Sequence, residues 1–181
     1  MDPVAIITRY YHPESLSFRI LLSHSQAVAK MATLKSIQLN LDKTEIEFIM
    51  EAAMLHDIGI FYTSAPEIGC TGDLPYICHG YKGYNLLLSE GLPRHALVCE
   101  RHTGTGLTLQ DIDKLGGLLP RRPMEPVSLA EKLITYCDKF FSKDPMNLGE
   151  ERPYEEVLKG ISRFGEDKAK IFIEWHRRFN Q

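Results

Sequence analysis

Apolar residues recur at helical spacing along most of the 181-residue chain, and no segment shows the strict alternation of a half-buried strand. From Glu14 to about Thr33, Leu16, Ile20, His24, Ala27, Val28 and Met31 fall on one helical face, with Arg19, Ser23, Gln26 and Lys30 opposite. A second helix opens at Asp42, with Glu45 three residues on in the pattern of a capping box. Its stripe of Ile46, Ile49, Met50 and Ala53 runs to His56-Asp57-Ile58-Gly59, where Gly59 reads as a helix stop.

Pro66, Gly69, Gly72 and Pro75 make Phe61 to Cys78 a loop, long enough to be expected to act as a functional loop or lid. Helical patterns resume from Gly80 to Glu90 and from Pro93 to about His102. Thr103 to Pro126 reads as loop with one short helix. Ser128 and Glu131 then mark the start of a helix whose stripe is Ala130, Leu133, Ile134, Cys137 and Phe141. Two more helices, Pro153 to Arg163 and Glu166 to Phe179, complete an all-α chain of roughly six to eight helices, without internal repeats.

Composition changes this picture little. Hydrophobic residues make up 44% and charged residues 25%, and the length suits a single domain that buries a core without disulfides. The formal charge of -3 gives no electrostatic case for binding a nucleic acid polymer, although a basic pocket for a small phosphorylated ligand fits an acidic protein. Cys70, Cys78, Cys99 and Cys137 form no CxxC pair and read as reduced thiols. The start of the chain lacks the pattern of a secretory signal, and no run is long enough to span a membrane, so a cytoplasmic protein with no membrane partner is expected.

The chemistry lies in polar residues placed on apolar faces. His24 sits among aliphatic residues, where by itself it reads as a hydrogen-bonded core histidine. His56 and Asp57 end an apolar helix, and Asp138 lies one turn beyond Ile134 at the core edge of another. A buried carboxylate costs several kcal/mol unless it is paired or bound to metal. Each could be an ion pair or a cap, yet a single interior cation would satisfy all of them together.

The ordered pattern His24, His56-Asp57, Asp138 resembles the HD superfamily of metal-dependent phosphohydrolases. The runs Leu21 to Ala29 and Leu133 to Lys139 resemble that family's first-histidine and last-aspartate helices. The resemblance implies one HD-type helical bundle over 1–181, with a core of about 15–141 and a helical extension of about 142–181. His79 and His102 match the added histidines of dinuclear members, and the segment between His79 and Asp138 is similar to bacterial diadenosine tetraphosphatases. Asp57 would then bridge two divalent transition metals, iron or manganese ahead of zinc, nickel or cobalt. His12, His95 and His176 match nothing and are read as structural.

The implied activity is hydrolysis of a phosphate ester or anhydride by a metal-bridged hydroxide, with Asp57 and His56 at its centre and a nucleotide or dinucleoside polyphosphate as substrate. The alternatives are a cyclic-nucleotide phosphodiesterase, a non-catalytic nucleotide- or metal-sensing HD domain, and a di-iron oxygenase. Dinuclear relatives often carry a phosphate-binding lysine just after the HD run, where this chain has Ile60. Lys82, Arg101, Lys139 and the Arg121-Arg122 pair are the candidate replacements. A homo-oligomer is compatible with everything above.

Overall fold

The computed structural model describes residues 1–180. Nine α-helices occur among them: α1 (Pro3–Ile7), α2 (Leu16–Gln38), α3 (Lys43–Leu55), α4 (His79–Ser89), α5 (Pro93–Arg101), α6 (Leu109–Lys114), α7 (Leu129–Asp138), α8 (Tyr154–Ser162) and α9 (Glu166–Phe179). The expected all-α class holds, with nine helices among the described residues where the sequence suggests six to eight, and with one small strand pair. Between α3 and α4, β1 (Ser64–Ala65) and β2 (Cys70–Thr71) form a two-stranded antiparallel hairpin flanked by 3-10 turns. No helix among the described residues is long and apolar enough to cross a membrane.

Local chemistry sets most helix ends. Ser15 caps α2 by accepting from Phe18 N at 3.1 Å, and Asp42 caps α3 by accepting from Glu45 N at 2.9 Å. Each such cap contributes about 1 kcal/mol. The reciprocal half of the expected box at α3 is not made, because Glu45 turns to Arg94 at 2.8 Å. The Thr108–Asp111 pair forms the complete box, at the start of α6.

The core lies where α2, α3, α5 and α7 meet, closed on one side by α4 and on another by α9. Leu21, Val28, Ala32, Ile49, Ala53, Leu133 and Ile134 are buried there. Leu16, assigned to the buried stripe of α2, is instead 39% exposed, since it occupies the first turn beyond the packed part of the helix.

Gly59 departs most from the sequence reading. The helix α3 already ends at Leu55, and Gly59 sits inside a 3-10 turn spanning Ile58–Tyr62. A Cβ at Gly59 would collide with His79 O and with the backbone of Gly83, and one at Gly83 would collide with Cys99 Sγ. These two glycines allow the turn after Asp57 to lie against α4, and α4 against α5. Tyr11 fixes the same turn, donating to Ile58 O at 2.7 Å and accepting from Phe61 N at 3.2 Å.

Candidate metal centre

Six side chains from five places in the fold converge in the interior. His24 comes from the middle of α2, His56 and Asp57 from the end of α3, His79 from the start of α4, His102 from the C-terminal cap of α5, and Asp138 from the last turn of α7. All six are buried. They include His79 and His102, two of the three histidines between the HD pair and the final aspartate, and they form two groups that could hold metal ions.

In the first group His24 Nε2 lies 3.1 Å from Asp57 Oδ2 and 2.9 Å from Asp138 Oδ1. His56 Nε2 lies 2.9 Å and 3.3 Å from the same two oxygens. In the second, His79 Nε2 and His102 Nε2 stand 3.4 and 3.3 Å from the other Asp57 oxygen, Oδ1, and 3.1 Å from each other. Donors bound about 2.1 Å from one cation stand about 3.0 to 3.4 Å apart, depending on coordination geometry. Both groups have this spacing, and Asp57 contributes one oxygen to each.

The proton inventory points the same way. His56, His79 and His102 each direct Nδ1 at the carbonyl three residues back, Ala53 O, Tyr76 O and Cys99 O, at 2.6, 2.6 and 2.7 Å. A carbonyl only accepts, so Nδ1 carries the hydrogen and Nε2 presents a lone pair to the cluster whenever the ring is neutral. Burial pushes the pKa of His79 down to about 3 and lowers that of His102 as well, which keeps both rings neutral. Their facing nitrogens therefore have no hydrogen to share, with each other or with Asp57. Neither Asp57 oxygen receives a hydrogen bond of proper geometry, although both are buried. The facing Nε2 lone pairs of His79 and His102, beside Asp57 Oδ1, have no donor among them, and a cation is what satisfies such a set of acceptors.

The positive charge on the cluster comes from neighbouring side chains. Lys139 Nζ lies 2.6 Å from Asp138 Oδ2, and Lys143 Nζ 2.6 Å from Asp57 Oδ2. Burial works against ionisation of both aspartates. Lys143 and His56 overcome it for Asp57, and Lys139 and His24 for Asp138, holding both well below the usual carboxylate range. Burial also works against a charged His56, but Asp57 and Asp138 together push its pKa up to about 9.

Lys143 has no counterpart in the sequence reading. It lies beyond α7, in a segment whose only sequence signal is ordinary surface polarity, and its side chain is 17% exposed. Of the basic residues singled out for phosphate, Lys139 meets the cluster. Arg101 does not: the last turn of α5 faces the start of α7, and the guanidinium pairs with Glu131 at 2.9 Å. Lys82 stands over the rings of Tyr62 and Tyr81 at 6.0 and 5.8 Å. Arg121 pairs with Asp113 at 2.8 Å, and Arg122 with Glu100. His95 packs on Phe48 and His176 stacks on Tyr154, away from the six residues.

The family model for the HD domain matches residues 21–142, a span that includes every residue of both groups. The chain belongs to the HD domain family. This family of metal-dependent phosphohydrolases accounts for the order of His24, His56-Asp57 and Asp138 along the chain and for their meeting in the interior. Over 97 residues this HD protein is 31% identical to an uncharacterized protein of Methanocaldococcus jannaschii, covering 53% of the chain and 50% of that relative. Over 126 residues it is 28% identical to a tRNA (cytidine(56)-2'-O)-methyltransferase of Picrophilus torridus, covering 69% of the chain and 32% of the relative. The matches thus reach half or less of each relative's length. No solved structure matches.

Proposed function

We propose that the chain hydrolyses a phosphate ester or anhydride of a small organic phosphate, a nucleotide or dinucleoside polyphosphate, with two divalent transition metals at its centre. The observation that carries this reading is the division of Asp57, Oδ2 toward His24 and His56 and Oδ1 toward His79 and His102. His24, His56, Asp57 and Asp138 would hold one metal, and Asp57, His79 and His102 the other. Mixed imidazole and carboxylate donors favour iron or manganese. Divalent cations there supply Lewis acidity, which activates water and neutralises charge on phosphoryl oxygens.

The protein's part is to orient and to complement charge. The Nδ1 bonds of His56, His79 and His102 to backbone carbonyls lock each ring so that Nε2 faces inward. Burial limits the access of bulk water, which strengthens every electrostatic interaction within. Lys143 and Lys139 bring positive charge beside the two carboxylates and take the role of the phosphate-binding lysine absent at Ile60. In the overall reaction the oxygen of water bonds to phosphorus while the P–O bond to the leaving group breaks, and that oxygen departs with the electron pair and is protonated.

Methyl transfer, named for the Picrophilus torridus relative, is not extended to this chain, because the likeness covers 32% of that protein. The test is a screen of metal-reconstituted protein against mononucleotides, cyclic nucleotides, dinucleoside polyphosphates and a generic phosphodiester. Release of phosphate or a nucleoside phosphate in iron or manganese, abolished by Asp57→Ala, is the expected result. Turnover confined to cyclic nucleotides would assign a phosphodiesterase. Tight nucleotide binding without turnover under any metal would assign a sensor and overturn the hydrolase.

A further inference from the structure

A cavity of about 710 Å³ lies beside the metal centre, between the 103–107 segment, α6 and the C-terminal helices α8 and α9. Its inner wall uses residues that neighbour metal-ligand candidates in the chain: Ile77 precedes His79 by two positions, Thr103 follows His102, and Lys139 follows Asp138. Lys139 joins the two spaces directly, with Nζ 2.6 Å from Asp138 Oδ2 and 3.0 Å from His102 O. The outer wall comes from Arg152 to Lys168, beyond the 21–142 span that matches the family.

The lining has two kinds of chemistry. Five cations, Lys114, Lys139, Arg152, Arg163 and Lys168, face one carboxylate, Asp111, on a chain whose formal charge is -3. Lys168 pairs with that carboxylate at 2.6 Å, whereas Lys114 and Arg163 make no ion pair among the described residues. Thr105 is 4% exposed, lines the cavity, and its hydroxyl has no hydrogen-bond partner. Against these stand apolar surfaces from Leu107, Leu115 and Ile161, with Phe164 on the rim at 82% exposure. A buried hydroxyl without a partner and unpaired cations favour an anion, and an exposed aromatic beside aliphatic walls favours an apolar body.

We propose that this cavity holds the non-reacting body of the substrate, and that the substrate is an organic phosphate carrying both an apolar body and further negative charge. The apolar body lies against Ile161 and Phe164, and the additional anionic group reaches Lys114, Arg163 and the Thr105 hydroxyl. This rests on the phosphohydrolase reading and adds to it: α8 and α9, outside the family match, select the substrate.

The test is calorimetric binding to the metal-loaded full chain, with adenosine diphosphate as a probe that has both features and inorganic pyrophosphate as an anion without the apolar body. Gly160 lies in the lining, and a Cβ there meets nothing within 4 Å, so Gly160→Leu fills the cavity without disturbing α8. Gly160→Leu and the double variant Lys114→Ala/Arg163→Ala are each expected to raise the Kd for adenosine diphosphate about tenfold or more, at unchanged metal content. Phe164→Ala is expected to weaken adenosine diphosphate and leave pyrophosphate as it was. No binding by the unaltered protein, or equal binding by it and both cavity variants, would overturn the proposal. The hydrolase reading fails by a different signal, retained binding with no turnover in any metal.

Discussion

Lys143 Nζ stands 2.6 Å from Asp57 Oδ2, bringing a residue just past the end of the family-matched segment against one well inside it. Burial opposes a charge on Lys143, yet Asp57 and the neighbouring Tyr76 and Asp138 hold its pKa well above the ordinary lysine range. It therefore stays cationic across the working pH range. Lys143 and Tyr76 also line a cavity of about 440 Å³.

Lys143→Met should leave bound metal in place and lower kcat/KM for a phosphate substrate by roughly 10²-fold, the usual effect of removing one charge-complementing group. Lys143→Arg should recover part of that loss. Steady-state kinetics beside elemental analysis tests this. Loss of metal in both variants would make Lys143 a structural cation instead.

Gly59→Ala adds a Cβ where His79 O and the Gly83 backbone already stand. Neither neighbour is a flexible side-chain end, so the turn after Asp57 must move away from α4. A loss of stability of roughly 1–3 kcal/mol is expected, as for other overpacked sites. The displacement should also separate Asp57 from His79, so metal content should fall with Tm. Unchanged Tm and metal would mean that the close approach is unimportant.

Asp111 and Lys168, neither of them among the candidate metal ligands, give a pH dependence of their own. Burial works against the charged Asp111, but Lys168 and Thr108 outweigh it and lower its pKa from the ordinary 3.8 to about 2. A depressed folded-state pKa stabilises the fold above the unfolded value, and that contribution is lost as pH falls from about 4 through about 2. Lys168 Nζ also donates to Gly106 O at 2.9 Å, so the pair ties α9 to the segment before α6. Acid unfolding followed by circular dichroism should show a component in this window that Asp111→Asn lacks. Superimposable curves would refute the assignment.

Much of the centre was legible because its residues break a helical pattern. His24 on an aliphatic stripe, Asp57 at the end of an apolar helix and Asp138 beside Cys137 are each anomalous alone, and the HD resemblance grouped them as one candidate set. What escaped the sequence depends on contacts between distant elements. Lys143 meets Asp57 only because the chain turns back after α7, where Phe141 bridges to Glu151. Arg101 is one candidate for phosphate in the sequence, and its ion pair with Glu131 depends on the packing of α5 against α7, which no local pattern reveals. Gly59 signalled a special backbone position correctly and for the wrong reason, since close packing against α4 was invisible in one dimension. The short α1, with Asp2 as its cap, carries too few residues for any period to register.

Metal stoichiometry tests the centre most directly. Elemental analysis of the purified protein should give two transition-metal equivalents, falling to one in His79→Ala and to none in Asp57→Ala, with helical circular dichroism retained in each. Binding of no transition metal by the unaltered protein, or full occupancy surviving Asp57→Ala, would contradict a centre bridged by that carboxylate.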